Sequence, residues 1–201
     1  MLNLKIIRLL TLTATVAAIL IAGSKQYFLQ MAIATTLLKP QVAQPETARR
    51  VYLADKRVSF VPPPGFTPMT AEEIALKFPD YDRLPKYVYG NERRTVTVAI
   101  TFSPANISPG QLPELKNFMV KFLTPVIPNI KWITQDFAVI NNVRWVQLEF
   151  ISQAIDTKIH NQIYLTSFQG RMLGFNFNST VEKYDALKAE LRKSRDSILV
   201  N

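Results

Sequence analysis

The chain has 201 residues, room for one domain of ordinary size plus an appendage. Hydrophobic residues make up 48% and charged residues 19%, which excludes wholesale disorder, and the lack of cysteine excludes disulfides, thiolate metal sites, cysteine nucleophiles and cysteine-linked lipid. A single histidine excludes a multi-histidine metal centre, and the net charge of +9 is unevenly spread.

Residues 1–44 hold Lys5, Arg8, Lys25 and Lys39 and no acid, so without these four cations residues 45–201 carry +5. Lys5 and Arg8 precede Leu9–Ala22, an uncharged run of fourteen residues. That length suits a signal peptide and is short for a membrane span, which needs about twenty. A second apolar stretch, Tyr27–Leu38, follows after Gly23–Gln26. Residues 1–38 therefore read as a signal peptide or an N-terminal membrane anchor. Cleavage after Gly23 or Ala34 would release the chain, and retention would tether it; both stay open beside a cytosolic protein with a buried N-terminal helix. Ile21-Ala22-Gly23-Ser24 has the form of a lipoprotein box with serine in place of the cysteine, and serine offers no thiol for the thioether. With the positive charge kept inside, the remainder lies outside the cytoplasm: periplasm, cell envelope or thylakoid lumen side.

Residues 39–50 carry two prolines and no apolar period, and read as a linker to a domain over residues 51–201. Arg49, Arg50, Lys56 and Arg57 cluster at its start and, with Lys5 and Arg8, are candidate membrane-surface contacts. Each basic residue close to anionic lipid is worth about 1 kcal/mol. A solvated face is the simpler reading of the same cluster.

Within the domain, Lys56–Val61 alternates as a strand and Pro62-Pro63-Pro64-Gly65 stops it. Thr70 and Glu73 form a capping box for a short helix ended by Pro79. Tyr87–Tyr89 and Arg94–Phe102 flank a turn at Gly90-Asn91, and Val96, Val98, Ile100 and Phe102 share one face. Leu112, Leu115, Phe118, Met119 and Phe122 mark a helix over Leu112–Leu123 that Pro125 and Pro128 end. Trp132–Ile140 and Val143–Ile151 form a hairpin across Asn141-Asn142. Val146, Leu148 and Phe150 share one face of the second strand, and Trp145, Gln147 and Glu149 the other. Thr157–Thr166 and Arg171–Asn178 form another hairpin across Gln169-Gly170. A last helix starts with Ser179 as cap and Glu182 completing the box, and Val181, Tyr184, Leu187, Leu191, Ser194 and Ile198 recur at helical spacing. The fold class is α+β: six or seven mostly antiparallel strands with helices on the sheet faces.

Three segments carry a family likeness: the strand into proline-glycine, Arg57–Phe66; the central hairpin, Ile140–Phe150; and the closing hairpin and helix, Tyr164–Ile198, with its final Ser194-x-x-x-Ile198. Their order resembles the PsbP/Mog-type α/β/α sandwich, which includes PsbP-like, Mog-type and DcrB-like proteins. The likeness spans Lys56–Val200. It implies a non-enzymatic domain that docks on larger assemblies or helps build them. The N-terminal segment departs from the Mog-type proteins, which are soluble, and so from a Ran-binding role.

No catalytic set emerges. His160 lies on a strand, and Asp156, four residues away, stands about 13 Å off on an extended chain. A half-exposed sheet histidine is the plainer reading, and an enzyme built on His160 the weakest function. Ser152, Ser167 and Ser194 have no glycine elbow, and no phosphate-binding glycine motif occurs. Asp80 and Asp82 lack the further ligands of a calcium loop. The sequence implies no cofactor, no metal and no nucleic-acid partner; the basic and aromatic Lys86–Arg94 stretch reads as edge protection. Two functions remain ahead of catalysis. One is a tethered or exported module that docks on a membrane complex, with lipid met through the N-terminal segment. The other is an envelope small-ligand or lipid-binding domain whose pocket Trp145, Tyr164 and Phe168 would line.

Overall fold

Residues that tolerate a left-handed backbone set the tight hairpins. Asn141 and Asn142 sit at φ 47° and 65°, and Gln169 and Gly170 at 53° and 72°, as a two-residue turn between right-twisted strands requires. The computed structural model describes residues 49–78, 84–127, 129–154 and 157–201. Asp80, Asp82 and Asp156, the apolar segment 1–38 and nearly all of the linker lie outside them.

The strands are β1 (Val51–Leu53), β2 (Val58–Phe60), β3 (Thr67–Pro68), β4 (Tyr87–Gly90), β5 (Thr97–Asn106), β6 (Lys131–Ile140), β7 (Val143–Gln153), β8 (Lys158–Phe168), β9 (Arg171–Thr180) and β10 (Leu199–Val200). The helices are α1 (Ala71–Lys77), α2 (Leu112–Val126) and α3 (Val181–Asp196). A seven-stranded antiparallel sheet runs in the order β3-β4-β5-β9-β8-β7-β6. A small second sheet runs β1-β2-β10.

Period-two patterning sends two apolar sets to opposite faces of the large sheet. Val146, Leu148, Phe150, Ile163, Leu165 and Met172 meet Leu115, Met119 and Leu123 of α2. Val98, Ile100, Trp145, Tyr164, Phe175 and Phe177 meet Phe60, Leu191 and Ile198, from the small sheet and the end of α3. Each such large apolar side chain taken fully from water contributes about 1.5–3 kcal/mol. Helix α1 covers Val88 and Ala99 through Ile74 and Phe78. The sheet thus lies between a helical layer and a mixed layer of helix and small sheet.

Three details differ from the sequence expectations. Helix α2 runs through Pro125 in its last turn, where a missing N–H removes one bond and the Ile127 N–H still reaches the Leu123 carbonyl at 2.9 Å. The N-cap of α3 is Thr180, not Ser179, and it makes no side-chain cap bond; Ser179 belongs to β9. Burial in strand β2 does not alternate: Ser59 is buried beside Val58 and Phe60, with the Arg50 guanidinium on its hydroxyl.

The small sheet is fastened to α3 by polar contacts. Ser194 Oγ donates to the Val61 carbonyl at 2.7 Å, and the Val61 N–H donates to Ser197 Oγ at 2.7 Å. The Asn141 side chain donates to the carbonyls of Asp196 (2.9 Å) and Ile198 (2.7 Å), tying the β6–β7 turn to the same end of α3.

Candidate functional site

The residues singled out by sequence fall into separate places. Lys5 and Arg8 lie outside the described residues. Arg49, Lys56 and Arg57 are exposed, with Lys56 on a left-handed run Ala54-Asp55-Lys56 at φ 48°, 53° and 66°. Arg50 is engaged within the fold: its Nη1 donates to Ser59 Oγ and to the Ser197 carbonyl, each at 2.9 Å. Trp145, Tyr164 and Phe168 do share a sheet face, but they sit in the packed core. Trp145 meets Phe175 edge-on, Tyr164 meets Phe177, and Phe168 meets Phe102.

His160 is buried, at 4% exposure, where a half-exposed position was expected. The reason is α3, which packs on β8 and β9 and lays Tyr184 on the imidazole, ring centres 3.5 Å apart. His160 Nε2 stands 3.0 Å from Glu149 Oε1. Glu149 lies diagonal to it across β7–β8, where Glu149 pairs with Gln162 and Ile151 with His160. Gln162 Nε2 donates to Glu149 Oε1 and lies equally close, at 3.2 Å, to the Tyr184 hydroxyl, which donates to Glu149 at 3.3 Å. The hydrogen bond from His160 holds the Glu149 carboxyl below its ordinary range against the opposing effect of burial. Burial first, and Glu149 second, push the Tyr184 phenol up. Ser179 faces His160 in register, and His160 Nδ1 and Ser179 Oγ are both buried without partners. His160 and Ser179 are closed to solvent, and the cluster ties α3 to the sheet. The signal for it was present in sequence: Glu149 shares a face with Trp145, and only the register to β8 was missing.

The two edges of the large sheet differ more than any other pair of features. Edge strand β3 has two residues and ends in proline. Arg94 closes it: Nε and Nη2 donate to the Glu73 carboxylate at 2.9 and 3.2 Å, and Nη1 donates to Thr67 Oγ1 (2.9 Å) and the Gly90 carbonyl (3.0 Å). Lys77 Nζ donates to the Arg94 carbonyl at 2.9 Å, and burial, with Arg94 nearby, lowers its pKa to about 8.

The opposite edge, β6, is ten residues long, carries a bulge between Trp132 and Thr134, and among the described residues pairs with β7 alone. Ile133 is 53% exposed and Val139 72%. The Asn141-Asn142 turn makes Ile140 and Val143 the bonded closing pair, so the backbone groups of Val139, Phe137 and Gln135 point away from β7. Two of these are covered by side chains. The Asp136 carboxylate accepts the Phe137 N–H at 2.8 Å, and Lys116 Nζ donates to the Gln135 carbonyl at 3.3 Å. No side chain among the described residues covers Val139. On the α2 side of this edge, the Arg144 guanidinium lies 3.9 Å and the Lys116 ammonium 5.1 Å from the Phe137 ring centre. The sequence reading did not single out this edge, because nothing local says which strand ends a sheet.

Among the described residues, no helix is long and apolar enough to cross a membrane, and no group of three or more acidic or histidine side chains is placed to hold a metal ion.

No protein-family model matches the chain, and no curated protein matches it in sequence. Solved structures do match. The cyanobacterial PsbP protein CyanoP of Synechocystis sp. PCC 6803 overlays with a TM-score of 0.55 at 13% identity, covering 76% of this chain and 92% of its own. LpqN of Mycobacterium tuberculosis, described as involved in cell envelope biogenesis, overlays with a TM-score of 0.50 at 10% identity, covering 76% of this chain and 90% of its own. The Ran-binding protein Mog1p of Saccharomyces cerevisiae gives 0.49 at 13% identity, covering 76% and 94%. At these identities the likeness is one of fold: the α+β arrangement is PsbP-like, as the sequence resemblance implied.

Proposed function

We propose that the domain is a non-enzymatic docking module, held at an extracytoplasmic membrane face by residues 1–38, which binds a subunit of a membrane protein complex and assists its assembly. The observation that carries this reading is the asymmetry of the sheet edges. One edge is short, ends in proline and is bound by Arg94; the other is ten residues long and exposes Ile133 and Val139. Between its bulge at Trp132–Thr134 and the turn, β6 is covered only by the Lys116 and Asp136 side chains among the described residues and leaves Val139 open, and an open edge of this kind is a template for pairing with another chain. The described role of LpqN in cell envelope biogenesis lends support to an envelope setting. Trp145, Tyr164 and Phe168, the candidate ligand-binding aromatics, are occupied by core packing, which favours docking over a ligand pocket.

The test is affinity purification of the full chain from gently solubilised native membranes, beside an Ile133→Lys/Val139→Lys variant. Subunits of one membrane complex should accompany the intact chain, and their recovery should fall about tenfold with the variant, as ~1.4 kcal/mol of lost docking energy implies. Equal recovery with both chains would remove β6 as the docking edge. A His160→Gln variant should recover the subunits as well as the intact chain does.

A further inference from the structure

We infer that the occupant of the β6 edge is an extended segment of a different protein, carrying a carboxylate with an aliphatic residue two positions away, which adds to the sheet as a further strand on the outer side of β6. This rests on the docking reading above and specifies the partner's chemistry.

The backbone comes first. On the turn side of the bulge between Trp132 and Thr134, the outward groups of β6 belong to Gln135, Phe137 and Val139; among the described residues side chains cover the Gln135 carbonyl and the Phe137 N–H, and none covers either group of Val139. The covers on the other two are charged side chains, Lys116 over the Gln135 carbonyl and Asp136 over the Phe137 N–H. A charged cover on an edge keeps stray strands away. It is also released when a better ion partner arrives.

The charges decide which partner that is. Lys116 and Arg144 flank the Phe137 ring on the α2 side, and among the described residues neither makes a salt bridge to a carboxylate. An incoming strand puts every second side chain on that side, beside Gln135, Phe137 and Val139. A carboxylate beside Phe137 would meet both cations and draw Lys116 off the Gln135 carbonyl, freeing it for the ladder. An aliphatic side chain two residues away would cover Val139. The strand's own carbonyl would take the Phe137 N–H, and Asp136, which is exposed, would turn to water.

A second copy of this chain does not fit. The residues that β6 presents on the α2 side are Trp132, Gln135, Phe137 and Val139, with no acid among them. Asp136 pairs with Gln147 on the other face. Edge-to-edge pairing of two copies would bring Lys116 and Arg144 of both together without a counter-ion.

The experiment selects random displayed peptides on the full chain held in detergent micelles, then measures their binding and the hydrogen exchange of residues 134–140. Selected peptides should carry Asp or Glu two positions from an aliphatic residue and slow exchange across that segment. Their affinity should fall about tenfold or more in a Lys116→Glu/Arg144→Glu variant, and peptides with the acids changed to Lys should bind that variant better than the native chain. Enriched peptides without that acid, protection at another surface, no enrichment, or a β6–β6 crosslink between copies would each overturn the inference. If the Ile133/Val139 variant loses its membrane subunits while the peptides lack acids, docking at β6 stands and the acidic strand falls. If subunit recovery ignores that variant, the docking reading itself has failed.

Discussion

Glu149 is the most heavily engaged acid among the described residues, with His160, Gln162 and Tyr184 all directed at one carboxylate oxygen. Its proton is held more weakly in the folded chain than in the unfolded one. Stability from this group is therefore present above the ordinary glutamate pKa of about 4.3 and drains away as pH falls through the lower folded value. Chemical denaturation should show a steeper loss below about pH 4.3 for the native chain than for Glu149→Gln, which has no carboxylate to protonate. Equal acid profiles would mean that the contact adds nothing. At pH 7 the same substitution should lower stability by about 1–3 kcal/mol, the effect of weakening a buried charged hydrogen-bond centre. The pairing was half legible: the period of two places Glu149 and Gln147 on one face, but only the strand register brings His160 to that carboxylate.

At the level of elements, the turn of the β6–β7 hairpin does two jobs. Asn141 holds a left-handed φ of 47° and donates two hydrogen bonds to the carbonyls of Asp196 and Ile198. Asn141→Ala loses both bonds and puts an alanine in a strained region, so thermal unfolding should shift down by the equivalent of about 2–4 kcal/mol. Asn142→Gly, where only the positive φ matters, should be neutral or slightly stabilising. A smaller loss at Asn141 than at Asn142 would show that the clasp on α3 carries no weight. These hairpins were readable because asparagine and glycine mark them locally, as Thr70 and Glu73 mark the start of α1 through a capping box that the structure contains. Strands β1, β3 and β10 were not readable. They have two or three residues each, too few for a period, and β10 exists only because Leu199 and Val200 pair with β2 from the far end of the chain. The Ser179 cap failed on a one-residue slip, since Ser179 and Thr180 both have the chemistry of a cap.

For the molecule as a whole, the sheet order could not be read, and with it the site. Sequence places β6 and β7 in a hairpin; it does not say that β6 ends the sheet while β9 lies between β5 and β8. The family resemblance supplied the sandwich, and the structure supplied the edge. The proposed tether constrains the geometry further. Residues 39–48 span at most about 35 Å when extended, so a retained N-terminal anchor keeps the domain within that reach of the bilayer. A domain so restrained meets a membrane-bound partner at high effective concentration, and a modest edge contact then suffices. Protein recovered from native membranes should accordingly yield peptides from residues 9–38; a chain starting cleanly after Gly23 or Ala34 would make it a free exported domain.

The most direct measurement is photo-crosslinking in native membranes with a photoreactive residue at position 139 of the full chain, and the same residue at exposed Lys193 on α3 as the comparison. Docking through β6 predicts an adduct with one membrane-complex subunit from position 139 and none from position 193. An adduct from position 193 alone, or none from position 139, would contradict it.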